Sequence, residues 1–125
     1  PNFREFDRIL DGEHVIEEAN GLISREQVLL LRGDAVKPGT VMGMVTATRL
    51  WKPLDLAAVD GSEVARGVLF AGRPALAGAD TRRAVMHVRD CDLNGKKLTW
   101  PAGISEVNRK AQEANLAQTT ILVRY

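Results

Sequence analysis

The side chains in this sequence that could do chemistry are few. His14 and His87 are its histidines and Cys91 its single cysteine; Cys91 lies four residues after His87, with Asp90 and Asp92 on either side. A zinc site needs about four ligands, commonly arriving as closely spaced pairs, and here only His87, Cys91 and one aspartate would converge. A cysteine nucleophile paired with His87 needs a stabilised thiolate, and two flanking carboxylates oppose one by raising the thiol pKa. The expected state is a half-buried histidine and an inert cysteine on a strand.

The glycine-containing segments match no phosphate loop. Gly39-Thr40-Val41-Met42-Gly43 lacks the lysine-serine or lysine-threonine ending, and neither a dinucleotide fingerprint, a nucleophile elbow nor a paired-histidine zinc motif is present. Met42, Met44 and Met86 would line a ligand pocket or fill gaps in a core, the second being the commoner use. Arg32-Gly33-Asp34 reads as a surface turn. No catalytic residue, cofactor or metal is expected.

Composition bounds the partners. A chain of 125 residues suits one domain with one core. Its 45% hydrophobic and 26% charged residues give an ordinary globular balance, and a formal charge of +1 provides no field to steer it to nucleic acid or an anionic membrane. Arg82-Arg83 and Lys96-Lys97 read as solvated pairs flanking turns. One cysteine excludes an internal disulfide, and no apolar run approaches the roughly 20 residues that span a bilayer. The expectation is a soluble protein made without the general secretory route, taking neither nucleic acid, membrane nor small-molecule substrate.

The elements that must position these residues are mostly short strands. Strand signals fall at 28–31, at 40–48 with Gly43 marking a bend or close contact, at 49–52 ended by Pro53, at 64–70 with Gly67 where a side chain would obstruct, and at 84–89. Asp60-Gly61 and Asn94-Gly95 are turns, residues 71–80 a glycine- and alanine-rich loop, and 119–123 a final strand. One helix is expected, over 103–116, with Ser105 as N-cap, a Glu106 to Lys110 pair on its outer side, and Ile104, Val107, Ala111 and Ala114 on one face toward a core or a neighbouring chain. Trp100, where a strand hands over to this helix, can anchor the core. The fold class is thus mainly β with one α-helix, a small α+β body over residues 28–125.

Residues 1–27 differ. Acidic and basic groups alternate around Phe3, Phe6, Ile9, Leu10, Val15, Ile16, Leu22 and Ile23, while Asp11-Gly12 and Asn20-Gly21 interrupt any long helix. The segment reads as an extended arm, mobile in isolation, that orders by adding to something else.

From about Ser24 onward the order of pieces resembles the lambda-type bacteriophage head decoration proteins: Ser24-Arg25-Glu26-Gln27-Val28 before a turn, Lys37-Pro38-Gly39-Thr40-Val41-Met42-Gly43 entering a strand, Asp60-Gly61 leading to Ala65-Arg66-Gly67-Val68-Leu69, then Leu98-Thr99-Trp100-Pro101, the helix and a terminal strand. The resemblance implies a β-rich capsid cement protein, homotrimeric, made in the host cytoplasm and bound at threefold or quasi-threefold sites on the outer surface of an expanded head. Its partner would be the major capsid protein, to which the N-terminal arm adds β-structure. Trp51, Phe70, Trp100, Val107 and Ala111 are candidates for the trimer contact or for the core. Two other readings remain open on the residues themselves: a small β-barrel ligand-binding module or enzyme using Met42, Met44, His87 and Cys91, and an adaptor elsewhere in a virion.

Overall fold

The computed structural model describes residues 11–19, 21–33, 35–74 and 81–125. Among them the elements run β1 (Val15–Glu18), α1 (Gly21–Ser24), β2 (Arg25–Leu30), β3 (Val41–Met44), β4 (Trp51–Pro53), β5 (Gly67–Leu69), β6 (Arg82–His87), β7 (Cys91–Asn94), α2 (Glu106–Ala117) and β8 (Ile121–Arg124). A mostly β fold with one substantial helix is what the turn and strand spacing predicts.

Period-two alternation along β3 and β5 builds two cores from one wall. Met42 and Leu69 point into a closed barrel of order β2-β4-β3-β5-β6, where they meet Leu30, Val36, Trp51, Ala84 and Met86. Their sequence neighbours Val41 and Val68 point the other way, into a second cluster with Leu54, Ala65, Cys91, Leu93, Leu98, Leu116 and Ile121. Both strands are therefore buried on both faces and read as unbroken apolar runs. Two glycines permit the close approach. A methyl group on Gly43 would sit 2.4 Å from the Ser62 carbonyl oxygen, and one on Gly67 2.9 Å from that of His87. The methionines Met42 and Met86 are fully buried gap-fillers.

The second core is covered by a three-stranded sheet, β1-β7-β8, and by α2. β7 and β8 are parallel, from Cys91 opposite Ile121 to Asn94 opposite Arg124, and α2 supplies the crossover such a pair requires. Before it, Asn94 caps a 3-10 turn (Gly95–Lys97) by accepting from the Lys96 amide. Pro53 ends β4, which meets β2 at a single pair, Leu30 opposite Trp51.

Several expectations are corrected. The helix starts at Glu106; Ser105 is its N-cap, accepting from the Asn108 amide at 3.1 Å, and Glu106 lies 3.5 Å from Lys110 as expected. Its inward residues, however, are Gln112 and Leu116, while Val107 is 78% exposed and Ala111 and Ala114 face solvent. Small side chains at helical spacing bury little area, so the orientation is set instead by Leu116 and by the Gln112 amide, which accepts from the Ala65 N–H at 2.8 Å and donates to the Glu63 carbonyl at 3.1 Å. β2 runs across residue 27, its six residues pairing in continuous register with β6 from Arg25–His87 to Leu30–Arg82. Arg82 is no solvated surface residue: it is buried and donates to the carbonyls of Leu31 and Pro74. His87 is fully rather than half buried.

Because Gln112 satisfies fixed backbone groups, Gln112→Ala is expected to lower stability by about 1–3 kcal/mol, whereas Val107→Ala is expected to change it by less than about 0.5 kcal/mol. Urea unfolding of the two variants measures the contrast.

Candidate functional site

Residues 12–19 are stitched to the body by backbone bonds and by a small, partly buried polar cluster. Gly12 N–H donates to the Phe70 carbonyl at 3.1 Å, Asn94 N–H to the His14 carbonyl at 2.7 Å, and Ala19 N–H to the Asp90 carbonyl at 3.1 Å. β1 pairs antiparallel with β7, Val15 opposite Leu93 and Glu18 opposite Cys91, with a register shift between Val15 and Glu17 that leaves Ile16 on a bulge.

Glu18 is the hub of the side-chain contacts. Arg25 grips its carboxylate with two N–H groups, at 3.1 and 2.7 Å, and His87 Nε2 lies 2.7 Å from it. The Arg25 guanidinium also stacks 3.9 Å above the Phe70 ring, and Phe70 meets the His87 ring edge to face at 5.4 Å. His14 completes the group, fully buried with its ring centroid 5.9 Å from that of His87. Among the described residues neither ring nitrogen of His14 has a hydrogen-bond partner, and neither does His87 Nδ1.

Burial and charge divide the work between these groups. Burial alone raises the Glu18 carboxyl pKa, but hydrogen bonds from Arg25 and then His87, with their charges, together bring it below the ordinary value. His87 is held below the usual imidazole value because burial outweighs the pull of Glu18. His14, buried beside His87, is pushed down from 6.5 to about 4.

The sequence-derived candidates scatter. Phe3, Phe6, Ile9 and Leu10 lie outside the described residues, as does the side chain of Leu22. Val15 is half-buried against the second core, whereas Ile16 and Ile23 are 54% and 48% exposed. Trp51 belongs to the barrel core, and Trp100 packs half-buried against the second core. Phe70 is half-buried within the polar cluster, and Val107 with Ala111 stands on the open face of α2. His87 and Cys91 do not form a reactive pair. His87 turns its Nε2 to Glu18, and the Cys91 thiol is pushed up to about 12 by burial first, then by Glu18, Asp92 and Asp90. Among the described residues no three histidine, cysteine or acidic side chains gather to hold a metal ion, and no helix is long and apolar enough to cross a membrane. The pairing of Glu18 with Arg25 has no signal in the sequence beyond opposite charge, because seven positions and a short helix separate them.

A barrel wall shared between two cores, with His87 tied to Glu18 and apolar side chains uncovered at Ile16, Ile23 and Val107 among others, defines a small β-rich module. A family model described as bacteriophage lambda head decoration protein D matches residues 8–121, and the chain belongs to that family. A role in decorating a bacteriophage capsid, and a place on the virion, follow from that membership. A search of curated proteins found no match.

With its thiol pKa near 12, Cys91 is expected to resist a disulfide-exchange reagent at about pH 8 in the folded protein and to react within seconds once unfolded in guanidinium. Absorbance of the released thiolate follows both.

Proposed function

We propose that the chain is a cement protein that assembles as a homotrimer on the outer surface of an expanded icosahedral head. It binds the major capsid protein at threefold and quasi-threefold sites and braces the shell against the pressure of packaged DNA, without catalysis. The family match across residues 8–121 carries this reading. Each trimer would touch several shell subunits, so contacts that are weak singly become strong together.

Attachment is assigned to the N-terminal segment: Phe3, Phe6, Ile9 and Leu10, with Val15, Ile16, Leu22 and Ile23 continuing into the body. Apolar side chains leading into the edge strand of a sheet suit strand addition to a partner. The body supplies the trimer contact, for which Val107 and Ala111 are the best-placed of the candidates, since they are apolar or small and lie off both cores.

Removing residues 1–10 takes away no described strand, whereas removing 1–27 takes β1, α1 and half of β2. The variant beginning at Asp11 is therefore expected to keep its far-ultraviolet circular dichroism yet no longer co-sediment with empty, expanded heads, which the full chain binds in preference to unexpanded ones. Undiminished binding by the shortened chain would refute the assignment. Val107→Glu is expected to leave monomer stability within about 0.5 kcal/mol while shifting the sedimentation coefficient from trimer to monomer. An unaltered trimer would remove α2 from the contact.

A further inference from the structure

We propose that residues 12–19 form a proton-operated latch: protonation of the buried His14–His87 pair releases this segment from the body while the barrel stays folded. The argument starts from the pair itself. Two imidazoles stand edge to face at 5.9 Å in a site closed to solvent, and three of their four nitrogens have no partner among the described residues. A neutral pair tolerates this arrangement as largely apolar rings do, packed with Phe70. A proton on either ring places a charge beside the other ring, in a site that bulk solvent does not reach.

The adjacent Glu13 carboxylate favours a proton on His14, but burial and the neighbouring His87 outweigh it. The charged groups that act on the rings are Glu13 and Glu18 from the N-terminal segment and Arg25 from β2; behind them Cys91 of β7 stands opposite Glu18, and Lys97 of the 3-10 turn pairs with Glu13. Glu13 reaches Lys97 at 3.3 Å, and Glu18 is held by Arg25 and His87. The thiol of Cys91 stays protonated and Arg25 adds positive charge. The His87 proton can be shared with Glu18; a His14 proton has no such acceptor within hydrogen-bond reach.

Relief comes from moving His14 into water. Residues 12–19 attach through the β1–β7 ladder, three flanking backbone bonds, Glu18, the Glu13–Lys97 pair and the packing of Val15, and they lie along the rim of a sheet in which β1 is the edge strand. Their departure leaves β2 to β6 paired as before. The held state, with His14 at about 4, binds a proton less readily than a released state near 6.5, so acid favours release. The latch is fully closed above about pH 6.5 and weakens as pH falls toward about 4. Between about pH 8 and about pH 5 the opening equilibrium should rise about 30-fold.

Amide hydrogen exchange on the full chain, corrected for intrinsic rates, tests this. The amides of Gly12, Ala19 and Asn94 report the latch; those of Arg66, Leu69 and Phe70, bonded to the carbonyls of Met42, Thr40 and Val85 along the barrel wall, are the controls. The expected result is a rise in opening of about 30-fold near pH 5 at the reporters alone. In His14→Leu, and in His14→Gln should the first misfold, the reporters should lose this pH dependence. Reporters that stay protected in acid, reporters and controls that open together, or a dependence that persists in the folded His14 variants would each overturn the proposal.

Discussion

The rest of the structure depends on two short strands that must be buried on both faces. β3 and β5 divide their side chains residue by residue between the barrel interior and the cluster under the side sheet. Hydrophobic burial scales with area removed from water, and a chain this short gains little area from a single layer. Using one wall twice yields two cores for one set of strands. The constraint is steric: Gly43 against the Ser62 backbone and Gly67 against His87 have no room for a side chain.

The side sheet shows how the ends of the chain are recruited to the second core. β1 comes from the beginning, β8 from the end, and β7 holds them apart at the centre. Val15 and Val123 reach the core from opposite sides, while Leu116 and Ile121 seal it through the helix and the last strand. Gln112 fastens that helix through hydrogen bonds to the loop at 63–65, so a buried polar group does work that apolar area on α2 is too small to do.

The groups with reactive potential are turned inward and quieted by one another. Cys91 is a core residue with a protonated thiol; His87 is tied to Glu18; and Arg25 covers Phe70 while holding the same carboxylate. Such a cluster orients a strand on a body, and it agrees with a protein whose family decorates a capsid.

Local pattern in the sequence determined the class of fold, the turns at Asp60-Gly61 and Asn94-Gly95, the Ser105 cap and the close contacts at Gly43 and Gly67, because each depends on neighbours within a few residues or on steric facts that hold in any fold; for Cys91 it showed the two flanking carboxylates, while burial and Glu18 do more to raise the thiol. The ordered pieces from Ser24 onward also pointed to the family. Tertiary structure alone decided the direction α2 faces, since a Val and Ala stripe yields to a glutamine only when the backbone of 63–65 is waiting for it. It alone showed that residues 15–18 and 25–27 belong to the sheets: β1 carries Glu17 and Glu18, depleted in strands, and finds its stability in pairing with β7 some 75 positions away. The joining of His14, Glu18, Arg25, Phe70 and His87 lay equally beyond the sequence, because contact between distant residues is set by chain topology and leaves no periodic mark.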